Sequence, residues 1–449
     1  MADLPARDLA VRRLLRVEGD GAHVARLADG AGSAEAARRA SDWVAGVTRQ
    51  RRWLDFVVGQ FYRGDVAALD PELLQALRIG TYDLVVRGVK PHAAVNEAVG
   101  TARRLLHRGA AGLANGVLRA VARAQAAGTL PQPDSGDPAE DLAVRHSYPT
   151  WMVRRWLGRW GPGATVRFLE AGNEAPRYAL RCTAGAAGRP ELVGRLDAVG
   201  AQPEPSRWLD DFVTVGRLQP VLRGGLVEGG ACAVQDEAAG LVVRALDPRP
   251  GEAVLDAAAA PGGKAVGAAL RMAGQGEVLA LDVSEAKARL VRQSAARQGA
   301  AIVRTAVADL TAWAPPRRYD RVLLDAPCSG TGVLAKRADL RWNRRPGDLA
   351  ELAALQDRLL DAAAAAVRPG GLLVYATCSV EPEENEGRVE SFLARTPSFT
   401  GEPVGEAVPG PFRDGDVYRA LPHVHGTDGA FAARLRRSEG VRGGRRTLS

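Results

Sequence analysis

Residues 253–264 read AVLDAAAAPGGK. A run of strand-forming residues ends on Asp256, and a loop with two adjacent glycines opens into a helical pattern. From about Gln235 onward the same alternation recurs: EVLALDV, AIVRTAV, RVLLDA and LLVYAT are apolar runs separated by helical stretches. Continuous apolar runs suit strands buried on both faces, and strands alternating with helices predict a parallel sheet covered on both sides. Ligands of such sheets collect at the carboxyl ends of the strands, at a topological switch point. The residues just after each strand are therefore the candidate site.

The first such loop runs Ala258, Ala259, Ala260, Pro261, Gly262, Gly263, Lys264. Its glycines let a ligand approach the backbone, and a helix N-terminus favours polar or negative groups. A dinucleotide site wants G-x-G-x-x-G; here the spacing is G-G-x-x-x-G, from Gly262 to Gly267, which argues against a nicotinamide oxidoreductase. Lys264 is one of four lysines against 56 arginines, and a cation on a first helical turn is mildly unfavourable. Both points favour a ligand role over a surface charge. Asp282 follows the second strand, where an acidic residue commonly takes ribose hydroxyls. Its alternative role is capping the next helix, although Ser284 already fits that duty. Asp309, after the third strand, either contacts an adenine edge or is a plain turn residue. Carboxylates recurring at one sheet edge point to an adenosine-bearing cofactor.

The fourth strand leads into Asp325-Ala-Pro-Cys328 and the fifth into Thr377-Cys378, so two of the four cysteines sit just past strand ends. Neighbouring strands lie about 5 Å apart, so if these two are adjacent both thiols open on one cleft. Two thiols beside an adenosyl donor fit one chemistry well. A pyrimidine C5 is too weak a nucleophile to take a methyl group unaided; a thiolate adding to C6 makes it enamine-like. One cysteine is then the nucleophile and the other assists product release, while Asp325 hydrogen-bonds the ring. Amino-group transfer would instead call for an aromatic residue after the proline, as in N-P-P-Y, where Cys328 stands. Spacing alone does not say which thiol attacks.

The rest of the chain is less chemical. Residues 1–127 show helical periodicity, with Asp70-Pro71-Glu72 as a helix start and Arg103, Arg104, Arg119 and Arg123 as exposed positions. Residues 128–141, GTLPQPDSGDPAED, read as a linker. Residues 142–240 read as a small α+β region; in it Met152, Val153, Trp156, Leu157 and Trp160 form a helical stripe suited to docking on the next domain. Residues 241–438 carry the parallel sheet, and 439–449 a basic tail. A net charge of +8 suits a polyanionic partner. The four cysteines lack zinc-ligand spacing, so no metal is expected. No apolar run suits a membrane span and the N-terminus lacks a signal-peptide centre, so a cytoplasmic protein with free thiols is expected.

The motifs AAAAPGGK, LALDVSEAK, VADL, DAPCSGTGVL with RADLRW, and YATCSVEPEENE resemble the NOL/NOP/Sun family of RNA cytosine-C5 methyltransferases. LRIGTYDLV, PHAAVNEAV and ANGVLRAVAR resemble the NusB-type helical RNA-binding domain. That pairing, with HGTDGAFAARL, is similar to the bacterial small-subunit rRNA methyltransferase B group. The resemblance covers nearly the whole chain. It implies an all-α NusB-like bundle, a small α+β region, and a Rossmann-like class I domain with a mostly parallel seven-stranded sheet. It implies S-adenosylmethionine as cofactor, and as partner 16S rRNA, naked or in an early assembly intermediate, bound by a monomer. It assigns Cys378 as nucleophile, Cys328 to release of methylated RNA, Ala258 through Lys264 to the cofactor loop, and Asp282, Asp309 and Asp325 to acidic contacts. The alternatives are a tRNA cytosine-C5 methyltransferase and a non-catalytic RNA-binding assembly factor. This chain departs from the family at Ala258 (usually Cys), Ala265 (usually Thr), the missing Asn of RYALRCTA, and Ala430, where an aromatic is common. The first two leave backbone contacts intact, the third removes an expected RNA contact, and the fourth alters packing.

Overall fold

The computed structural model describes residues 4–19, 33–186 and 188–439; of the basic tail only Glu439 lies inside these ranges. The chain forms two compact units, one of Met1–Glu174 with Leu334–Arg344, the other of Ala175–Val333 with Arg345–Ser449.

The first unit is helical: α1 (Ala6–Gly19), α2 (Ala34–Phe61), α3 (Pro71–Val85), α4 (Pro91–Leu105), α5 (Arg108–Ala127), α6 (Pro138–His146), α7 (Thr150–Ala171) and, from far along the chain, α13 (Leu340–Asn343). Its local signals are strong. Asp70 caps α3 by accepting from the N–H groups of Glu72 and Leu73, and Pro71 takes the first helical position. The Pro-rich linker is shorter than its composition indicates, because Asp137 caps α6 and Pro138 starts it. Helix α7 kinks at Gly161-Pro162, where Gly161 takes a φ of 72°. The kink turns Phe168 edge-on to Trp156, with ring centroids 4.7 Å apart, so the aromatic stripe packs against its own helix. The middle region is thus divided, its residues 142–174 belonging with the helices.

The segment Leu334–Arg344 joins the helical unit for a clear reason. Arg341 is fully buried and donates to the carbonyl oxygens of Ser147 (3.0 Å), Gly172 (3.0 Å) and Arg49 (3.3 Å) and to Asn173 Oδ1 (2.9 Å). Its guanidinium carbon lies 3.7 Å from the Tyr148 ring centroid. Trp342 Nε1 donates to Thr48 O at 2.7 Å. Burial pulls the Arg341 pKa down to about 10, which leaves the group charged at neutral pH.

The second unit holds two sheets. The small one, ordered β2-β3-β1-β4, is antiparallel: β1 (Tyr178–Cys182), β2 (Pro203–Pro205), β3 (Phe212–Val215) and β4 (Cys232–Val234). Helices α8 (Arg189–Ala198) and α9 (Leu218–Arg223) supply Leu192, Leu196 and Val221 to its core.

The large sheet has a parallel centre, ordered β7-β6-β5-β8-β9: β5 (Ala253–Asp256), β6 (Glu277–Asp282), β7 (Val303–Val307), β8 (Tyr319–Asp325) and β9 (Val367–Thr377). These are the five apolar runs of the sequence. Between and around them run α10 (Glu237–Leu246), α11 (Gly263–Arg271), α12 (Glu285–Arg297), α14 (Asp348–Ala366) and α15 (Glu386–Arg395). Two apolar clusters back the sheet, one including Val254, Val266 and Leu323, the other Leu255, Leu324 and Leu360. Strand β13 (Ala430–Arg437) adds antiparallel to β9. The seventh position is shared: β10 (Phe399–Glu402) pairs with the end of β13, and β12 (Val417–Ala420), which also pairs with β11 (Arg413–Asp414), pairs with its start. The seven expected positions are therefore present, and β11, beyond β12, adds an eighth, so that nine strands make the sheet. The remaining helix is α16 (Pro422–His425). The chain leaves β5 in one direction through β6 and β7 and returns to β5's other side with β8. The switch point lies between β5 and β8.

Candidate active site

Asp256 and Asp325 end the two strands at the switch point, and Asp325 lies opposite Ala376 in the register of β8 with β9. The two cysteine-bearing strands are thus neighbours. Cys328 Sγ and Cys378 Sγ are 3.3 Å apart, a shared thiol hydrogen bond, and both side chains are half-buried. Cys328 is pushed well above the ordinary thiol range, by its hydrogen bond to Cys378 first and by burial second, with Glu384 adding to it. Cys182 and Cys232 are different. They are register partners on β1 and β4, and burial pushes their pKa values up to about 11 and about 12, as for inert core thiols.

A buried polar network fixes the two cysteine loops. The Ser329 N–H donates to Glu384 Oε1 at 2.8 Å, and its hydroxyl donates to Glu384 Oε2. Gln356 Nε2 bridges Pro327 O (3.0 Å) and Glu384 Oε1 (3.1 Å). Thr377 Oγ1 donates to Asn385 Oδ1 at 2.6 Å, and Asn385 Nδ2 to Ser379 O at 3.0 Å. The acidic tract after the strand therefore turns Glu384 and Asn385 inward, 0% and 1% exposed. The sequence displayed that tract, but not which of its residues would be buried. Gly332 N–H donates to Cys378 O at 2.9 Å, and a Cβ there would lie 2.7 Å from both Cys378 O and Gly429 O. Only glycine allows that approach.

The candidate cofactor loop lies at the neighbouring strand end. Lys264 Nζ is 2.6 Å from Asp325 Oδ2. Burial opposes its charge, but Asp325, helped by Asp256 and Cys378, outweighs burial and raises the Lys264 pKa. This lysine is no surface charge. Asp282 Oδ2 accepts from the Ala260 N–H (3.0 Å) and Oδ1 from the Val283 N–H (2.7 Å), while Ser284 caps α12. Asp282 therefore braces the loop instead of capping the helix. Asp309 is exposed and caps a 3₁₀ turn, Leu310–Ala312, accepting from the Thr311 N–H (2.9 Å) and hydroxyl (2.7 Å) through Oδ1. It stands two residues past β7, in the turn role. Ala259 N–H bonds Leu281 O at 2.9 Å, and Gly262, with a φ of 102°, starts α11.

Sequence reasoning missed two buried residues here. Arg181 of β1 donates to Gly263 O (2.7 Å), Gln235 Oε1 (2.6 Å) and Gln298 Oε1 (2.7 Å), tying the small sheet to the loop. A Cβ on Gly267 would lie 2.3 Å from Arg181 Nη1, so that glycine makes room for the brace. Asp256 is the second. Neither carboxyl oxygen meets a donor in good hydrogen-bond geometry, and burial first, then Asp325, push its pKa up to about 7, against Lys264 and the Ala258 N–H.

The sign of that shift is testable. Below about pH 4 the carboxyl is protonated folded or unfolded; between there and about pH 7 only the unfolded chain ionises, so stability falls as pH rises. Asp256→Asn is neutral throughout. Relative to the parent it is expected to gain about 2–4 kcal/mol between pH 4 and pH 8, read from urea unfolding at the two pH values. Parallel pH profiles would show that Asp256 is charged in the fold.

The chain matches the profile of the family described as 16S rRNA methyltransferase RsmB/F over residues 243–436, the NusB family over 4–123, and an RsmF/B-like ferredoxin-like domain over 148–222. It is 34% identical over 397 residues to ribosomal RNA small subunit methyltransferase B of Klebsiella pneumoniae, covering 87% of this chain and 88% of that one. This chain belongs to the RsmB/F methyltransferase family. The same-named protein of Salmonella typhi is 35% identical over 397 residues, with 87% and 88% covered. The crystal structure of the protein PH0851 superposes with a TM-score of 0.78 at 26% identity, covering 97% of this chain and 100% of that one. A methyltransferase homologue from Pyrococcus horikoshii gives 0.57 at 29% identity over 67% of this chain and 99% of its own. The fold expected from sequence, a NusB-like bundle followed by a Rossmann-like methyltransferase domain, is the one the RsmB/F family shares. The chain is an enzyme of methyl transfer.

Proposed function

We propose that the protein methylates C5 of a cytidine in small-subunit (16S) rRNA, using S-adenosylmethionine, with Cys378 as nucleophile and Cys328 assisting release. The observation that carries this reading is the thiol pair, 3.3 Å apart at the ends of adjacent strands, where the contact and burial raise the Cys328 pKa. A protonated Cys328 donates its hydrogen bond to Cys378, which can then carry negative charge and attack.

The residues present fit the cofactor. The loop from Ala258 to Lys264 carries Gly262 at a φ of 102°, opens a helix N-terminus, and lies beside the buried carboxyl of Asp256, whose oxygens meet no donor in good geometry. Ala258 through Lys264 would hold it, with Asp282 and Asp309 as candidates for its ribose and adenine. S-adenosylmethionine, when bound, supplies an electrophilic methyl group. The chain's own part is to create the acceptor. Cys378 Sγ bonds to C6, and the ring electrons move to C5, which becomes nucleophilic; Asp325 hydrogen-bonds the ring as charge develops. After C5 is methylated it gives up its proton to water, the C–H electrons re-form the C5–C6 double bond, the S–C6 bond breaks, and its electron pair returns to Cys378 Sγ. Cys328 then hydrogen-bonds the departing thiolate and favours release.

The target base must be single-stranded or flipped out to reach the thiols. Bisulfite sequencing of rRNA and tRNA with and without the gene is expected to show one cytidine of 16S rRNA losing its mark; a lost mark in tRNA alone would move the substrate. Lys264→Met removes the cation paired with Asp325 and is expected to weaken S-adenosylmethionine binding by at least about tenfold in calorimetry. Unchanged affinity would remove Lys264 from the cofactor site.

A further inference from the structure

We infer that the helical unit carries a pocket for a backbone phosphate of RNA, formed by Arg51, Arg52, Arg341, Trp342 and Arg344. The inference rests on the reading of RNA as substrate and adds to it a contact within the helical unit.

A cavity of about 360 Å³ opens among these residues, with Asp55 and Pro149 completing its lining. That volume admits a nucleotide-sized group. Among the described residues that line it, four are arginines and one, Asp55, is acidic. Asp55 already accepts two bonds from Arg78, at 2.6 and 2.7 Å. Glu18, 3.7 Å from Arg51, is 2.6 Å from Arg78 as well. Arg52 is tied to Glu140. Arg341, buried at the floor, has only uncharged oxygen acceptors and the Tyr148 ring; among the described residues no carboxylate lies within ion-pair distance of it. A buried cation without a counter-charge sets up a positive potential that an anion entering the cavity would neutralise. Guanidinium forks match phosphate oxygens bidentately. Arg51 is stacked on Trp342, 4.3 Å from the ring centroid, which fixes its direction in advance. The exposed arginines of α5, Arg119 and Arg123, offer no such enclosure and read as a solvated face.

The test is RNA affinity against salt, by fluorescence anisotropy with a small-subunit rRNA fragment, for the full chain and for Arg344→Ala, Arg51→Ala/Arg344→Ala and Arg119→Ala/Arg123→Ala. The pocket variants are expected to bind about tenfold more weakly, with the slope of log K against log salt shallower by about one per lost phosphate contact. The α5 variant is expected to bind as the parent does. Arg344→Lys, which keeps the charge, is expected to restore part of the affinity, and thermal melts check that each variant is folded. Parent-like affinity and slope in the pocket variants, or an equal loss in the α5 variant, would overturn the inference. Methylation by the parent chain reports on the function separately. A parent that methylates, with variants that bind normally, removes the pocket alone. A parent that makes no 5-methylcytidine, with variants that bind weakly, removes the function and keeps the pocket.

Discussion

Cys328→Ala is expected to accumulate protein covalently joined to RNA, seen as a slowly migrating band on a denaturing gel, with turnover reduced to a small fraction of the parent's. In the parent the Cys328 thiol lies 3.3 Å from Cys378 Sγ, the sulfur proposed to attack, and that contact and burial raise its pKa. Its hydrogen bond stabilises the free Cys378 thiolate but not the thioether of the adduct. It therefore pulls the last step toward release. A hydrogen bond to a charged group is worth about 1.5–3 kcal/mol, or roughly ten- to more than a hundredfold in that equilibrium. Without it methyl transfer proceeds and the product stays bound. Methylated RNA released at the parent's rate would remove Cys328 from the mechanism.

Cys378→Ala is expected to do the opposite. No adduct can form, C5 is never activated, and methyl transfer falls by at least about 10⁴-fold, the scale on which other enzymes lose rate with their nucleophile. S-adenosylmethionine and RNA should bind as before, because the cofactor loop contacts described above do not use the Cys378 side chain. The double variant should match Cys378→Ala and show no trapped band. Should Cys378→Ala trap RNA and Cys328→Ala bind it without a bond, the two sulfurs have exchanged roles.

Much of this site was legible because its signals are local. Strand ends, the Pro-Gly-Gly-Lys loop and a cysteine just past each of two strands all lie within a few residues, and chain direction in a parallel sheet sends them to one edge. The strand order, which sets β8 beside β9, then brings the thiols together. What stayed hidden depends on distant partners. Arg181 and Gly263 are far apart in sequence, and nothing near RYALRCTA marks its arginine as a brace for a loop. Glu384 and Asn385 look like any acidic tract until the β9 turn folds them inward. RADLRW entered only as a family motif, and nothing in it showed that Arg341 and Trp342 pack among the helices of the first unit, Arg341 fully buried there. Its five surrounding oxygens come from four separate stretches of chain. Asp309, one of three acidic contacts on sequence grounds, is engaged in its own turn. Recurrence at strand ends alone could not separate it from its neighbours. The shared seventh sheet position was equally unreadable, since β10, β11 and β12 are four residues or fewer each.

The most direct measurement uses rRNA carrying 5-fluorocytidine. A fluorine at C5 cannot leave as a cation, so once the methyl group is transferred the ring has no proton to lose and the thioether persists. Incubated with S-adenosylmethionine, digested and examined by mass spectrometry, the protein is expected to yield one modified peptide, carrying a methylated fluorocytidine on Cys378. Attachment at Cys328, or methylation of the RNA with no protein adduct at all, would contradict the account.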